Sequence, residues 1–496
     1  MSRSWSRLLL CCFKGCIYQS GCLFQRMPPV RSIHNRHLTW CRLFSQLSSM
    51  RKHNNQSAEL SPSEWTSPLH LEPVELDLDY LCNPDSMQDI QNNIGNRKGV
   101  GDIHLVRKLY ECYQQETDPM KRQDLHRKFI NAALNIPNRS HPHAPIGDES
   151  KARLVETVGT QRNFDFEPLT VVEIGEKLGH LRTDKLTQTT GPKTYFFKDG
   201  FAKLEQALIK YTLSKILKKG FQLVGVPELI HPDIVEGCGF KTTGETTQVY
   251  RLCPETYGQV CLAGTAEMPL AGYFLNEVLD HKKLPVRVAA VSRCYRAETS
   301  GVEEEQGIYR VHQFTKVEMF GVTDGNSSSG DNLLSEFLGI EKEIFSELGL
   351  HFRILDMPSV ELGAPACRKF DMEAWMPAKK FWGEISSTSN CTDFQSRRLN
   401  VKYRNNQGNL RHCTTVNGTA CAIPRTIMAI VENFQETLCD NKLTTNKRER
   451  IKCLLHLQRD HNKIILCLCT CMTQIALNTT SNTGIERYFF LHCNNR

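Results

Sequence analysis

CYRAETSGVEEEQGIYRVHQFTKVEMF, residues 294–320, decides how this chain folds. A β-prone run, Val286 to Tyr295, ends just before Arg296 and Glu298, and a Gly-containing polar loop follows. A second β-prone run starts near Ile308 and carries Arg310, His312, Phe314, Lys316 and Glu318. Side chains repeat every two residues along a strand, so these five are expected on one face. Val311, Val317 and Met319 then face the other way, with Gln313 and Thr315 as polar interruptions. One wall of an antiparallel pair would thus present cations, an aromatic ring and a carboxylate. Such a wall suits a nucleotide: cations for phosphates, a ring for the base, a carboxylate for an ammonium group. A solvated strand face crossed by ion pairs explains the charges. It does not explain a long loop flanked by ArgXGlu and ArgXHisXPhe.

Three further stretches carry groups of the same chemistry: LAGTAEMPLAGY (262–273), FWGEISSTSNCTDFQSRR (381–398) and VNGTACAIPRTIMAIVENFQ (416–435). Taken singly, a ThrAlaGlu tripeptide is worthless as a signal, a Ser/Thr-rich segment with one acid reads as a loop, and an arginine at a helix start reads as surface. In this order they resemble the class II aminoacyl-tRNA synthetases, and in detail the seryl-tRNA synthetases. The opening stretch matches motif 2 of that family and 416–435 its motif 3. The resemblance implies an α+β fold, an antiparallel sheet flanked by helices and preceded by a short N-terminal helical hairpin arm. It implies activation of serine with ATP and Mg²⁺ to seryl-adenylate, then transfer to tRNA(Ser). Arg296 would grip the α-phosphate and the serine carboxylate, a task suited to a planar forked donor. Glu298 and Arg310 lie at nucleotide-contacting positions, and Phe314 would stack on adenine. Thr265, Glu267, Glu318, Asn417 and Thr419 match serine-contacting positions, Glu318 taking the ammonium and hydroxyl. An acceptor fixed for the hydroxyl discriminates against alanine, which would leave it unpaired. Glu384 and Ser387 would hold Mg²⁺ with the ATP phosphates. Arg425 would meet the γ-phosphate at a helix start, where the dipole also favours an anion. The loop Glu303-Glu304-Glu305 is acidic for a segment expected to approach tRNA.

Length and charge set the bounds. At 496 residues and 40% hydrophobic composition, the chain can bury a large core in more than one domain. Its formal net charge is +7, yet nine basic residues fall before position 59 with no acid among them. The remainder carries 52 basic against 54 acidic residues, so nucleic-acid contact must come from local patches. An Arg- and Ser-rich leader free of acid reads as a mitochondrial presequence, which implies the mitochondrial matrix. The 21 cysteines then sit in a reducing compartment and need not pair. No stretch reaches the roughly 20 apolar residues of a membrane-spanning helix.

Outward from the centre, residues 1–45 are expected as the presequence and 46–70 as a Ser-rich linker. Residues 71–138 are expected as a shortened helical tRNA-binding arm, 139–435 as the catalytic domain and 436–496 as a tail without a match to the family. In the arm, Asp102 can cap one helix (Val106, Leu109, Tyr110, Tyr113 inward) and Asp118-Pro119 can start a second. Each would span only about 20 Å, with Arg107, Lys108, Lys121, Arg122, Arg127 and Lys128 placed to meet phosphates. An amphipathic helix at 200–220 (Leu204, Leu208, Tyr211, Leu217 inward) and the run FQLVGVPELI (221–230) resemble motif 1, which in the family forms a homodimer interface. In the tail, Cys467, Cys469 and Cys471 alternate, poor geometry for zinc. Two rival readings remain open from residues alone. One is a catalytically inactive paralogue that binds RNA or a partner. The other is a class II enzyme for a different amino acid, although the zinc ligands of the threonine enzymes have no match.

Overall fold

The central sheet is built from eight strands whose runs are rich in β-branched and aromatic residues. They are β1 (Arg153–Val158), β2 (Gln222–Leu223), β3 (Val286–Tyr295), β4 (Gln313–Thr323), β5 (Phe352–Asp356), β6 (Arg368–Met376), β7 (Phe381–Thr392) and β8 (Thr414–Ala422). Their order is β1-β5-β6-β7-β8-β4-β3-β2, and every neighbouring pair is antiparallel except β2 with β3. This is the α+β architecture expected from the sequence. The computed structural model describes residues 74–435 apart from 185, 245–246, 299–306 and the side chain of Thr187. The expected presequence, the linker, the acidic loop Glu303–Glu305 and the tail lie outside the described residues.

The opening stretch folds as an antiparallel pair in which Val286 faces Val322 and Tyr295 faces Gln313. The second strand begins at Gln313, not near Ile308. One further bond continues the same register, and beyond it the His312 amide turns to a partner outside the pair. Arg296 N donates to His312 O (2.9 Å) and His312 N donates to Lys193 O (3.0 Å). Arg310 and His312 are therefore off the strand, while Phe314, Lys316 and Glu318 keep the shared face.

Three helices cover the opposite face, α5 (Asp199–Lys218), α7 (Ser327–Glu347) and α8 (Ile423–Asn433), and α4 (Val171–Leu178) is tied to α8 by Val171 N donating to Glu432 Oε1 (3.0 Å). Leu204, Leu208, Phe337, Ile340 and Ile427 pack there on Val317, Met319 and Met372 in one apolar core. On α5 the inward stripe ends at Ile216, fully buried, and the expected Leu217 is 40% exposed. At 3.6 residues per turn the stripe running through Leu208 and Thr212 arrives at 216, and residue 217 lies about 100° further round.

At the N-terminal end, α1 (Met87–Asn96), α2 (Ile103–Gln115) and α3 (Pro119–Leu134) share a small core of Ile90, Ile94, Ile103, Val106, Phe129 and Ala133. Both expected caps form. Asp102 accepts from Leu105 N (3.0 Å), and Asp118 accepts from Met120 N (2.9 Å) and Lys121 N (3.2 Å), with Pro119 in the first turn. The hairpin α2–α3 spans 13 and 16 residues, roughly 20 and 24 Å. It is joined by α1 and docked on the sheet domain. Arg97, 2% exposed, donates to the carbonyls of Asn138 (2.7 Å), Ala366 (2.9 Å) and Gly363. Asn138 in turn donates to Pro365 O (2.7 Å) and Cys391 O (2.9 Å). Among the described residues no helix is long and apolar enough to cross a membrane.

Candidate active site

The uncovered face of the sheet gathers polar side chains that its strands would otherwise have no reason to carry. Glu318 on β4 pairs in register with Thr419 on β8, so both project to this face. Lys316, two residues before Glu318, joins them. The Lys316 ammonium is ion-paired to Glu318 Oε2 and donates to Thr265 Oγ1 (2.8 Å) and Thr419 Oγ1 (3.2 Å). Thr419 Oγ1 also donates to Glu318 Oε2 (3.3 Å), while Glu318 Oε1 is buried with no hydrogen-bond partner among the described residues. Burial pushes the Glu318 carboxyl up, against the charge and hydrogen bond of Lys316.

A second carboxylate lies beside the first. Glu267 opens α6 (Glu267–Tyr273) and is 5% exposed. Its Oε1 accepts from Gln395 Nε2 (2.7 Å) and its Oε2 from Asn417 Nδ2 (3.2 Å). Burial, and then the neighbouring Glu318 charge, raise its pKa from 4.5 to about 7. Two carboxylates and three hydroxyl or amide groups thus converge. This is an acceptor set for an ammonium and a hydroxyl on one small molecule. Thr265, Glu267, Glu318, Asn417 and Thr419, expected together from the sequence, are brought together.

The neighbouring cleft is lined by Arg296, Glu298, Phe314, Lys316, Glu384, Thr419 and Arg425 among others. Arg296 is fixed by Nε donating to Gly264 O (3.2 Å) and by its guanidinium lying over the Phe314 ring at 5.2 Å. Glu298 is 8% exposed and takes Arg310 Nη1 at 3.3 Å. It adopts φ +39°, rare for a side-chain-bearing residue. Gln248 holds it there, its side-chain oxygen accepting from Glu298 N (2.9 Å) and its carbonyl from Ala297 N (3.0 Å). Arg425 lies in the first turn of α8, where a dipole favours anions. It sits over the Tyr309 ring at 4.3 Å and donates to Glu384 O (3.0 Å). Partial desolvation in the cleft would raise the Glu384 carboxyl, but the Arg425, Lys369, Arg296 and Arg310 charges hold it below its ordinary value.

Period-two alternation alone would put Glu384 and Ser387 on opposite faces. A bulge in β7 corrects the phase: Glu384 pairs with Glu373 and Ser387 with Asp371, both on the cleft face of β6. Glu384, with 43% of its side chain exposed, lines the cleft. Ser387 lies on the same face one step back, in register with Asp371. Among the described residues no cluster of three or more His, Cys, Asp or Glu could hold a metal by itself. One exposed carboxylate with a nearby hydroxyl fits Mg²⁺, which takes most of its ligands from phosphates and water.

The sequence reading missed the groups that hold these residues. Gln395 carries no signal in the sequence, although it bridges Glu267 and Thr415 Oγ1 (2.7 Å). Nothing in a glutamine near the start of a five-residue helix announces that. The alternation puts Lys316 on this face but gives it no task. Tyr250 has no motif around it, yet its hydroxyl bonds His312 Nδ1 (2.8 Å), which also contacts Arg296 O (3.0 Å).

Residues 250–434 match the model of the tRNA synthetase class II core domain (G, H, P, S and T). The mitochondrial serine–tRNA ligase of Mus musculus is 46% identical over 332 residues, 67% of this chain and 63% of that protein. The chain therefore spans less than two thirds of that relative's length. The serine–tRNA ligase of Treponema denticola is 42% identical over 405 residues, 72% of this chain and 95% of that protein. The crystal structure of seryl-tRNA synthetase from Pyrococcus horikoshii complexed with ATP superposes with a TM-score of 0.66 at 26% identity, covering 73% of this chain and 95% of that one. With its core fold, its ordered motifs and a near-complete bacterial relative in agreement, this chain belongs to the serine–tRNA ligase family of class II synthetases.

Proposed function

We propose that this chain is a serine–tRNA ligase of mitochondrial translation, working as a homodimer in the matrix. It joins serine to ATP as seryl-adenylate and then loads tRNA(Ser). The observation that carries the reading is the pairing of a two-carboxylate pocket with a cationic, aromatic cleft across Lys316 and Thr419. Glu318 and Glu267 receive the ammonium, and the hydroxyl of serine meets Thr419 and Glu318. The carboxylate then points toward Arg296, at the cleft mouth of the pocket. One carboxylate oxygen forms a bond to the α-phosphorus as the bond to the bridging oxygen breaks and pyrophosphate leaves with its charge. Arg296, Arg310 and Arg425 lie where that charge develops, so they stabilise the transition state more than the ground state. Phe314 supplies an apolar face for adenine. Glu384, with Ser387 behind it, would hold Mg²⁺, which neutralises phosphate charge.

The homodimer reading rests on apolar surface near the β2 edge of the sheet. Leu217, Leu223 and Leu229 are 40%, 49% and 52% exposed, around the segment matching motif 1. The mitochondrial destination rests on the acid-free basic leader and on the mitochondrial relatives. The helical region 74–138 is the candidate arm for tRNA, with Arg122, Arg127 and Lys128 on its outer helix α3. Charging tests the whole reading. Incubated with labelled serine, ATP, Mg²⁺ and mitochondrial tRNA, the chain should load serine-accepting tRNA and no alanine. Loading of a different amino acid would overturn it.

A further inference from the structure

Three of the acceptors that a substrate ammonium could use in the pocket are held by one side chain of the protein itself. Lys316 Nζ is ion-paired to Glu318 Oε2 and donates to Thr265 Oγ1 (2.8 Å) and Thr419 Oγ1 (3.2 Å). An ammonium has three hydrogens, and all three are used. Its side chain is 7% exposed and that of Glu318 is 1% exposed, so no solvent competes for these bonds. A static ion pair would account for Lys316 and Glu318. It does not account for the two threonine hydroxyls converging on the same nitrogen from α6's leading loop and from β8. Nor does it account for Glu318 Oε1, buried beside them with no hydrogen-bond partner among the described residues. The geometry is that of a receptor for a primary amine filled by a primary amine on a tether.

We propose that Lys316 is an internal surrogate for the substrate's ammonium, exchanged for it during binding, and then a second cation at the reacting carboxylate. This rests on the activation reading above. When a 2-amino-3-hydroxy acid enters, its ammonium takes over Thr265 and Glu318. The Lys316 side chain, which also lines the cleft, turns to the carboxylate on the same α-carbon. There it faces Arg296 across the reacting group. The exchange keeps Glu267 and Glu318 compensated throughout, so neither carboxylate is left buried with its charge unpaired. It also makes the substrate carboxylate part of the bargain: an amine lacking one displaces Lys316 without giving it a new partner.

Ethanolamine, which has the ammonium and hydroxyl of serine but no carboxylate, separates the two roles. Its affinity is measured by calorimetry on the full chain and on Lys316→Met, with Lys316→Gln as a second variant that keeps a neutral donor. Removing the competing amine should tighten ethanolamine binding about tenfold, since the receptor is no longer filled most of the time. The same variants should lose about a hundredfold in kcat of serine-dependent ATP–pyrophosphate exchange, the loss of one preorganised cation. A purely structural lysine could weaken binding but could not strengthen it. Unchanged or weaker ethanolamine binding in both variants overturns the proposal. If the wild-type chain binds ethanolamine, and more weakly than the variants, yet shows no serine-dependent exchange, the surrogate stands and the activation reading falls.

Discussion

Glu267 turns burial into a pH dependence. Its carboxyl is raised to about 7 by burial and by the charge of Glu318, with Lys316 and Arg296 opposing. A raised carboxyl is protonated in the folded chain between about pH 4.5 and 7 while the unfolded chain has released its proton. The resulting stability is full below pH 4.5 and is lost as pH rises through 7. Ligand binding runs the other way, because an ammonium requires the ionised form. The KM for serine should therefore rise about tenfold per pH unit below pH 7, and Glu267→Gln should flatten that slope. Pyrophosphate exchange followed from pH 6 to 8.5 checks it, and a flat wild-type profile would remove Glu267 from the amine site. ThrAlaGlu was legible as a site only through its place before the opening stretch. Its depth, and hence its titration, depends on Gln395 and Asn417 arriving from elements more than a hundred residues away.

At the scale of elements, the strands carrying chemistry were readable and their irregularities were not. Val286–Tyr295 was expected and found to the residue. The bulges at Met372/Glu373 and Thr419/Cys421 leave no trace in a period-two pattern, yet the first sets which face Glu384 shares with Ser387. A close approach behind β8 was equally silent in the sequence. A Cβ at Gly418 would meet Glu341 Oε1 at 2.7 Å and Thr388 Oγ1 at 3.0 Å. Glu341 is a fully buried acid of α7 whose carboxyl burial raises well above its ordinary value, and it packs against the strand. Gly418→Ala should force β8 outward, costing about 1–3 kcal/mol. Because Asn417 and Thr419 flank it, the serine KM should rise as well. Urea denaturation alongside exchange kinetics measures both, and an unaltered midpoint would mean that α7 yields freely.

Across the whole molecule, the helical N-terminal region is docked on the sheet domain through Arg97 and Asn138. The caps at Asp102 and Asp118 made its helices legible, but its docking was not, since one arginine reading backbone carbonyls has no sequence signature. Burial lowers the Arg97 guanidinium to about 10, so it stays charged at neutral pH while serving Asn138, Gly363 and Ala366. Arg97→Met would strip several buried carbonyls of their donor, costing about 2–4 kcal/mol. Limited proteolysis should then release residues before Asn138 ahead of the sheet domain; cooperative loss of both would show that other contacts carry the docking. The account as a whole turns on Arg296, held by Gly264 and Phe314 at the junction of the two half-sites. Its most direct test is serine-dependent ATP–pyrophosphate exchange, which needs no tRNA, on the wild-type chain and on Arg296→Ala. The account predicts robust exchange with serine that falls by about a thousandfold in the variant, the loss of a donor to the transition state. Exchange that survives Arg296→Ala unchanged, or a folded wild-type chain with no exchange, would contradict it.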